Sequence, residues 1–94
     1  GQGARLAQVA AVLGLSPRAL QRRLTATGTT FQQVLDDVRH GLATFHLRQG
    51  GMSLGDLAYA LGYQDQSAFN HAFRDWTGTN PGAWREAQQA QQAR

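Results

Sequence analysis

The sequence predicts an all-α fold in which two helix–turn–helix subdomains are joined by a long linker helix. Apolar residues recur at steps of three and four through most of the 94 residues, and no segment shows the alternation of a strand. Glycine and proline stand where helices would end and begin. Segment 4–29 also matches segment 53–81 in its apolar residues, caps and glycines, at an offset that rises from 48 to 50, with segment 31–49 between the two copies.

Composition is typical of a small globular domain. Hydrophobic residues make up 41% of the chain, which is enough for a core, and no apolar run approaches the roughly 18–20 residues of a membrane span. Cysteine is absent, which excludes disulfides and cysteine-type zinc sites and fits a reducing interior. The net charge is +3, and all 9 basic side chains are arginine. Arginine suits two-pronged contacts with phosphate and guanine, although genomic base composition also explains the bias.

The first copy begins with an amphipathic helix predicted over residues 4–13. Gly14 ends this helix, and Ser16 and Pro17 start the next one as N-cap and first helical residue. The second helix is predicted to run to about Thr27, where a glycine follows. Only a tight turn separates the two helices, which is the arrangement of a helix–turn–helix.

The linker helix is predicted over the whole of Phe31–Gln49. Its apolar residues recur at helical spacing and indicate a face that packs against both copies; they are Phe31, Leu35, Val38, Leu42 and Phe45. At about 1.5 Å per residue the helix is roughly 28 Å long. A rigid helix of that length would fix the separation of the two copies. Gly41 marks either close helix packing or a soft point within it.

The second copy repeats the first with a turn that is one residue longer. Ser53 is predicted to cap a helix over 54–61, and Gly62 to end it. Asp65 is predicted to cap the next helix, which runs to about Trp76.

The last segment, residues 82–94, is predicted to form a short terminal helix and a tail. Asn80 and Pro81 start the helix, and the glutamine- and alanine-rich tail over 88–94 is expected to fray. The aromatic residues of the second copy and this helix are expected to form one core: Phe69, Phe73, Trp76 and Trp84.

The second helix of each copy presents a polar face away from its apolar stripe. At about 100° per residue the stripes are Leu20, Leu24 and Thr27 in the first copy and Phe69, Phe73 and Trp76 in the second. The predicted base-reading residues on the opposite faces and their edges are Arg18, Gln21, Arg22, Ser67, Asn70 and His71. The predicted contacts to the DNA backbone are Ser16, Arg23, Thr25, Gln66 and Arg74.

Arginine, amide and imidazole side chains are residue types that hydrogen-bond base edges in a major groove. Any solvated helix face is polar, so one such face does not decide the function. Two such faces on duplicated helix–turn–helix units favour DNA binding.

The segment Ser53–Pro81 also carries a family likeness. Its pattern L..LA..LGY, then Q.AF...F, then W.G..P resembles the signature of the AraC/XylS family of bacterial transcription regulators. The stretch VRHGLATFHL at Val38–Leu47 resembles a subgroup with an Arg-His pair in the linker helix.

The resemblance implies a single DNA-binding domain over 1–94, built from two homeodomain-like units in tandem, with double-stranded DNA as ligand. It further implies contact with RNA polymerase, a cytoplasmic location and an N-terminal sensing or dimerising domain in the full-length protein. The 94-residue chain itself is then expected to be monomeric. The chain departs from the family in two respects. It begins after the point where the family has a further helix, and it has His71 where many members have arginine.

Other chemistry is not indicated by the sequence. The three histidines lack metal-ligand spacing, and no nucleophile–base arrangement or glycine-rich phosphate loop is present, so neither a metal, a cofactor nor catalysis is expected. Arg39 stays open, because an ion pair with Asp36 or Asp56 and a phosphate contact both fit its position. Two alternative functions also stay open. One is a helical protein-interaction module that contacts RNA polymerase or a partner regulator, and the other is an accessory domain of an enzyme.

Overall fold

The computed structural model describes residues 2–93, and six α-helices account for most of them. They are α1 (Gln2–Val12), α2 (Pro17–Ala26), α3 (Phe31–Gln49), α4 (Leu54–Ala60), α5 (Gln66–Thr77) and α6 (Pro81–Gln92). No strand occurs within residues 2–93, and the predicted all-α class is confirmed. The chain divides into two compact units, Gly1–Asp37 and Val38–Arg94.

Local chemistry sets most helix boundaries as the sequence predicts, although α1 begins at Gln2, two residues before its predicted start. Four N-cap side chains each accept a hydrogen bond of 2.8–3.1 Å from the backbone N–H three residues further on; they are Ser16, Ser53, Asp65 and Asn80. Gly14 and Gly62 follow α1 and α4 with φ values of 72° and 90°, a conformation that glycine adopts without steric cost. The turn over 61–65 is one residue longer than the turn over 13–16, as expected.

The terminal helix is longer than the sequence predicts. Helix α6 continues to Gln92, so the expectation of a frayed tail is wrong up to that residue. Alanine, glutamine, glutamate and arginine are strong helix formers, and no glycine or proline interrupts residues 83–92. Arg94 lies outside the described residues.

The second unit is built around aromatic side chains, as predicted. Phe69 and Phe73 of α5 are fully buried and meet edge to face, with ring centroids 5.9 Å apart. Trp76 and Trp84 pack against them and are partly buried. Helices α3 and α4 complete this core with four buried aliphatic residues: Ala43, Leu47, Leu57 and Ala58.

The first unit has a smaller buried set, consisting of Ala10, Leu20 and Phe31. The prediction that Thr27 belongs to the core stripe of α2 is wrong, because Thr27 is exposed at the C-cap. Its hydroxyl donates a hydrogen bond of 2.8 Å to the carbonyl of Leu24 and so satisfies the helix end instead.

The buried face of α3 also differs from the predicted one. Val38, Leu42 and Phe45 are 52%, 45% and 54% exposed. The residues of α3 that are buried in the second unit are instead Arg39, Ala43 and Leu47. Phe31 is 8% exposed, as predicted, so the apolar period identifies the buried face of α3 in the first unit but not in the second.

Gly41 does not mark close packing. It is exposed, and a Cβ atom built on it would meet no atom within 4 Å.

Candidate nucleic-acid interface

Helix α2 presents its predicted DNA-binding residues to solvent. The exposed residues are Arg18, Gln21, Arg22, Arg23 and Thr25. Leu20, between them, is buried, so the polar side chains share the outward side of the helix. The Thr25 hydroxyl donates to the carbonyl of Gln21 at 3.0 Å, and the Gln21 side-chain amide approaches that hydroxyl at 3.5 Å.

The first two helices carry an excess of basic residues. Residues 2–26 contain four arginines and no aspartate or glutamate, so α1 and α2 together carry a formal charge of +4. Ser16 stands at the start of α2, where its hydroxyl oxygen accepts from the amide of Ala19 at 3.0 Å. Its own hydroxyl proton can still be donated to an acceptor such as a phosphate oxygen.

Helix α5 presents a second polar face. Gln66, Ser67, His71 and Arg74 are exposed, whereas Asn70 is partly buried. A shallow cavity of about 320 Å³ is lined by four of the five predicted residues of this face together with the N-cap of α6; they are Ser67, Asn70, His71, Arg74 and Asn80. The structure therefore brings four of the five predicted residues of α5 to one surface, and it exposes those of α2 together.

Asn70 differs from the other predicted base-reading residues in its burial. Its side-chain oxygen Oδ1 is buried and has no hydrogen-bond partner among the described residues. A buried acceptor without a donor is costly. The Oδ1 atom of Asn70 can therefore still accept a hydrogen bond from a donor group.

The α5 face carries less positive charge than the α2 face. Arg74 is the one arginine in α5, and Asp75 follows it directly. The imidazole Nε2 of His71 lies 3.8 Å from a carboxylate oxygen of Asp75, with both side chains largely exposed. This carboxylate offsets the positive charge of Arg74, so α5 lacks the excess charge of α2.

Arg39, whose role stays open on the sequence alone, binds the turn between α4 and α5. Its Nε donates to the carbonyl of Leu61 at 2.8 Å, and Nη2 lies 3.5 Å from the carbonyl of Gly62. Its guanidinium carbon also lies 4.7 Å from the centroid of the Tyr63 ring. At 9% exposure Arg39 is buried, and these backbone contacts take the place of both the ion pair and the phosphate contact considered from the sequence.

The neighbouring residue, His40, packs against the C-terminal end of α5. Its ring stacks on Trp76 with a centroid separation of 5.1 Å and an interplanar angle of 21°. It also meets the edge of Phe73 at 6.5 Å. The Arg-His pair in the linker helix was the sequence signal for these contacts, but the pattern alone did not indicate their partners.

Metal-binding clusters and membrane-spanning helices are absent from residues 2–93. No group of three or more histidine, aspartate or glutamate side chains in that range is arranged to hold a metal ion. Among the described helices, none is both long and apolar enough to cross a membrane.

Comparison with known proteins decides the family. A family model described as a helix-turn-helix domain matches residues 9–87. The chain belongs to the AraC/XylS family of transcription regulators. It is 49% identical over 82 residues to the ornithine utilization regulator of Pseudomonas aeruginosa, a match that covers 87% of this chain and 24% of that protein. The chain therefore spans about a quarter of that relative.

Solved structures with the same fold support this assignment. A DNA-binding transcriptional dual regulator from Escherichia coli K-12 superposes with a TM-score of 0.81 at 29% identity, covering 90% of this chain and 77% of that one. The DNA-binding domain of AdpA, solved in complex with a target DNA, superposes with a TM-score of 0.75 at 28% identity. That match covers 93% of this chain and 79% of the AdpA domain.

Proposed function

We propose that this chain is the sequence-specific DNA-binding domain of a transcription regulator and that α2 and α5 each read a major-groove segment of one site. The observation that carries the proposal is the α2 face, where Arg18, Gln21 and Arg22 are exposed together on a helix that contains no aspartate or glutamate. The likeness to the AdpA domain bound to its target DNA supports it.

The outward residues divide into two roles. Arginine forms two-pronged hydrogen bonds with guanine, and asparagine or glutamine does so with adenine. The base-reading residues in this proposal are therefore Arg18, Gln21, Arg22, Ser67, Asn70 and His71. Residues at the helix starts and flanks contact phosphates, which fix register and orientation without carrying sequence information. They are Ser16, Arg23, Thr25, Gln66 and Arg74.

The remaining parts of the proposal concern the full-length protein. We propose that an N-terminal sensing or dimerising domain precedes this one, because the chain spans only about a quarter of its ornithine regulator relative. In this proposal the isolated 94-residue domain is a monomer, and the protein acts in the cytoplasm.

Selection of DNA fragments from a random pool by the purified domain tests this function. We expect one asymmetric site with two short blocks of base preference, because two different helix faces contact it. The control is a variant with Arg18, Gln21 and Arg22 replaced by alanine, which should lose one block and keep the other. If the parent domain enriches no sequence, the proposed function is wrong.

A second candidate function is contact with RNA polymerase, and the exposed apolar residues of α3 favour it. Val38, Leu42 and Phe45 recur at steps of three and four and are each about half exposed. Purified polymerase captured on the immobilised domain provides the test, with Leu42→Ser and Phe45→Ser expected to reduce capture. Val12→Ser is the matched control, because Val12 is 87% exposed and lies on a different helix. Equal capture by all variants would remove this candidate.

A further inference from the structure

Two adjacent residues of α3 contact the turn before α5 and the last turn of α5 itself. Arg39 bonds to the turn that leads into α5, and His40 stacks on Trp76, the penultimate residue of that helix. Tyr63, which lies under the guanidinium group of Arg39, packs in turn on Phe69 in the first half of α5, with ring centroids 5.6 Å apart. Arg39 therefore reaches the start of α5 through the turn and Tyr63, and His40 reaches the end of α5 through Trp76.

The contacts of Arg39 are specific to its guanidinium group. The carbonyl of Leu61 stands at the C-cap of α4, where helix carbonyls lack an intrahelical partner and carry partial negative charge. A planar guanidinium can donate to such a carbonyl from its edge while its face covers an aromatic ring. Because Arg39 is 9% exposed and already donates to the turn, its charge serves the fold and not a phosphate.

We propose that Arg39 and His40 form a clamp that sets the orientation of α5, and that this orientation determines which bases the second unit prefers. The proposal rests on the proposed function, because it concerns the same α5 face. Arg39 and His40 are positioning residues here: they act through the turn and Trp76 and do not themselves contact DNA.

The test uses the whole domain and four variants. Arg39→Met keeps the length of the side chain and removes its donors, and Arg39→Lys keeps the charge and one donor. His40→Ala removes the stacking ring. The matched control is Arg85→Met, because Arg85 also donates to a backbone carbonyl in the second unit, that of Met52 at 3.2 Å, which precedes α4 and lies outside the turn into α5.

Three quantities are measured on each variant: base preference by DNA selection, the salt dependence of binding, and amide hydrogen exchange across 61–77. A misaligned helix forfeits the hydrogen bonds of its base-reading residues, so Arg39→Met should reduce the preference at the block read by α5 by about tenfold. The block read by α2 should keep its preference and serves as the internal standard. Arg39→Lys should fall between Arg39→Met and the parent, and Arg85→Met should match the parent.

The salt dependence separates positioning from direct phosphate contact. Loss of a phosphate contact makes the slope of log K against log salt concentration shallower by about 0.9. We expect the slope of Arg39→Met to equal that of the parent. A slope shallower by about 0.9, or an unchanged preference at the α5 block in the folded variant, would overturn the clamp.

Amide hydrogen exchange tests the clamp without DNA. The clamp predicts faster exchange over 61–66 in Arg39→Met and over the last turn of α5 in His40→Ala, with no change in Arg85→Met. Parental exchange rates in both clamp variants would overturn it even if the parent bound no preferred sequence, an outcome that would separately refute the proposed function. If Arg39→Met does not fold, Arg39→Lys supplies all three measurements, and full parental behaviour in that variant would also count against the clamp.

Discussion

Two neighbouring arginines of α2 are expected to make different contributions to DNA binding. Arg22 and Arg23 are both exposed, but Arg22 belongs to the outward face with Arg18, whereas Arg23 lies at its flank. A two-pronged contact with a base discriminates between base pairs, and a contact with phosphate does not.

We therefore expect Arg22→Ala to relax preference at one or two base pairs, at a cost of about 1–3 kcal/mol of discrimination. Arg23→Ala should weaken binding to all sequences about equally and make the salt slope shallower by about 0.9. Binding titrations against the selected site and against its single-base variants measure both effects. Unchanged affinity and base preference in Arg22→Ala would show that the face has been assigned wrongly.

At the scale of the helix, α3 shows where the sequence pattern succeeds and where it fails. Its limits at Phe31 and Gln49 agree with the prediction, but Leu42 is 45% exposed and Leu47, outside the apolar stripe, is buried. We expect Leu47→Ala to lower the free energy of unfolding by about 2–5 kcal/mol, because it leaves a cavity beside α5. Leu42→Ala should change it by about 0.5 kcal/mol or less. Urea denaturation of both variants provides the measurement, and a larger loss for Leu42→Ala would restore the face that the sequence predicts.

Caps and turns could be predicted because their chemistry is local. The serine, aspartate and asparagine caps need only a backbone N–H three residues away, and Gly62 needs only a turn with positive φ. Arg39 could not be assigned in this way, because its partner Leu61 is 22 residues distant along the chain. The candidate site follows the same division: helical periodicity predicts which residues of α2 and α5 face outward, but the partial burial of Asn70 depends on tertiary packing.

The packing of α5 gives the second prediction at this scale. Phe73 is fully buried and lies 5.8–6.1 Å, between ring centroids, from Phe69, Trp76 and Trp84. Truncation of a buried phenylalanine to alanine costs about 3–5 kcal/mol, which approaches the whole stability of a small domain. Phe73→Ala should therefore unfold the second unit, as seen by loss of amide dispersion for residues 38–93 and a lowered thermal midpoint. A melt and a spectrum indistinguishable from the parent would contradict this placement of the core.

For the molecule as a whole, the distribution of charge along the chain says more about DNA binding than the net charge of +3 does. The first unit, residues 1–37, carries four arginines and two aspartates, whereas residues 38–93 carry four arginines and four acidic residues. Two of the arginines in the second group are engaged within the fold, since Arg39 and Arg85 donate to backbone carbonyls. The first unit is therefore expected to supply most of the electrostatic part of DNA affinity.

Two triple variants with the same change in net charge test this asymmetry. Replacing Arg18, Arg22 and Arg23 with glutamine should make the slope of log K against log salt concentration shallower by clearly more than about 0.9, because Arg23 loses a phosphate contact worth about 0.9 and the charges of Arg18 and Arg22 in the groove also displace counterions from the DNA. Replacing Arg48, Arg74 and Arg85 should change it by only about 0.9, because Arg48 lies over the ring of Trp84, Arg85 bonds to Met52, and Arg74 alone lies on the α5 face. Circular dichroism at the assay temperature confirms that both variants are folded before the titrations are compared. Equal slopes in the two triple variants would mean that net charge, and not the placement of arginines on α2, governs the attraction to DNA.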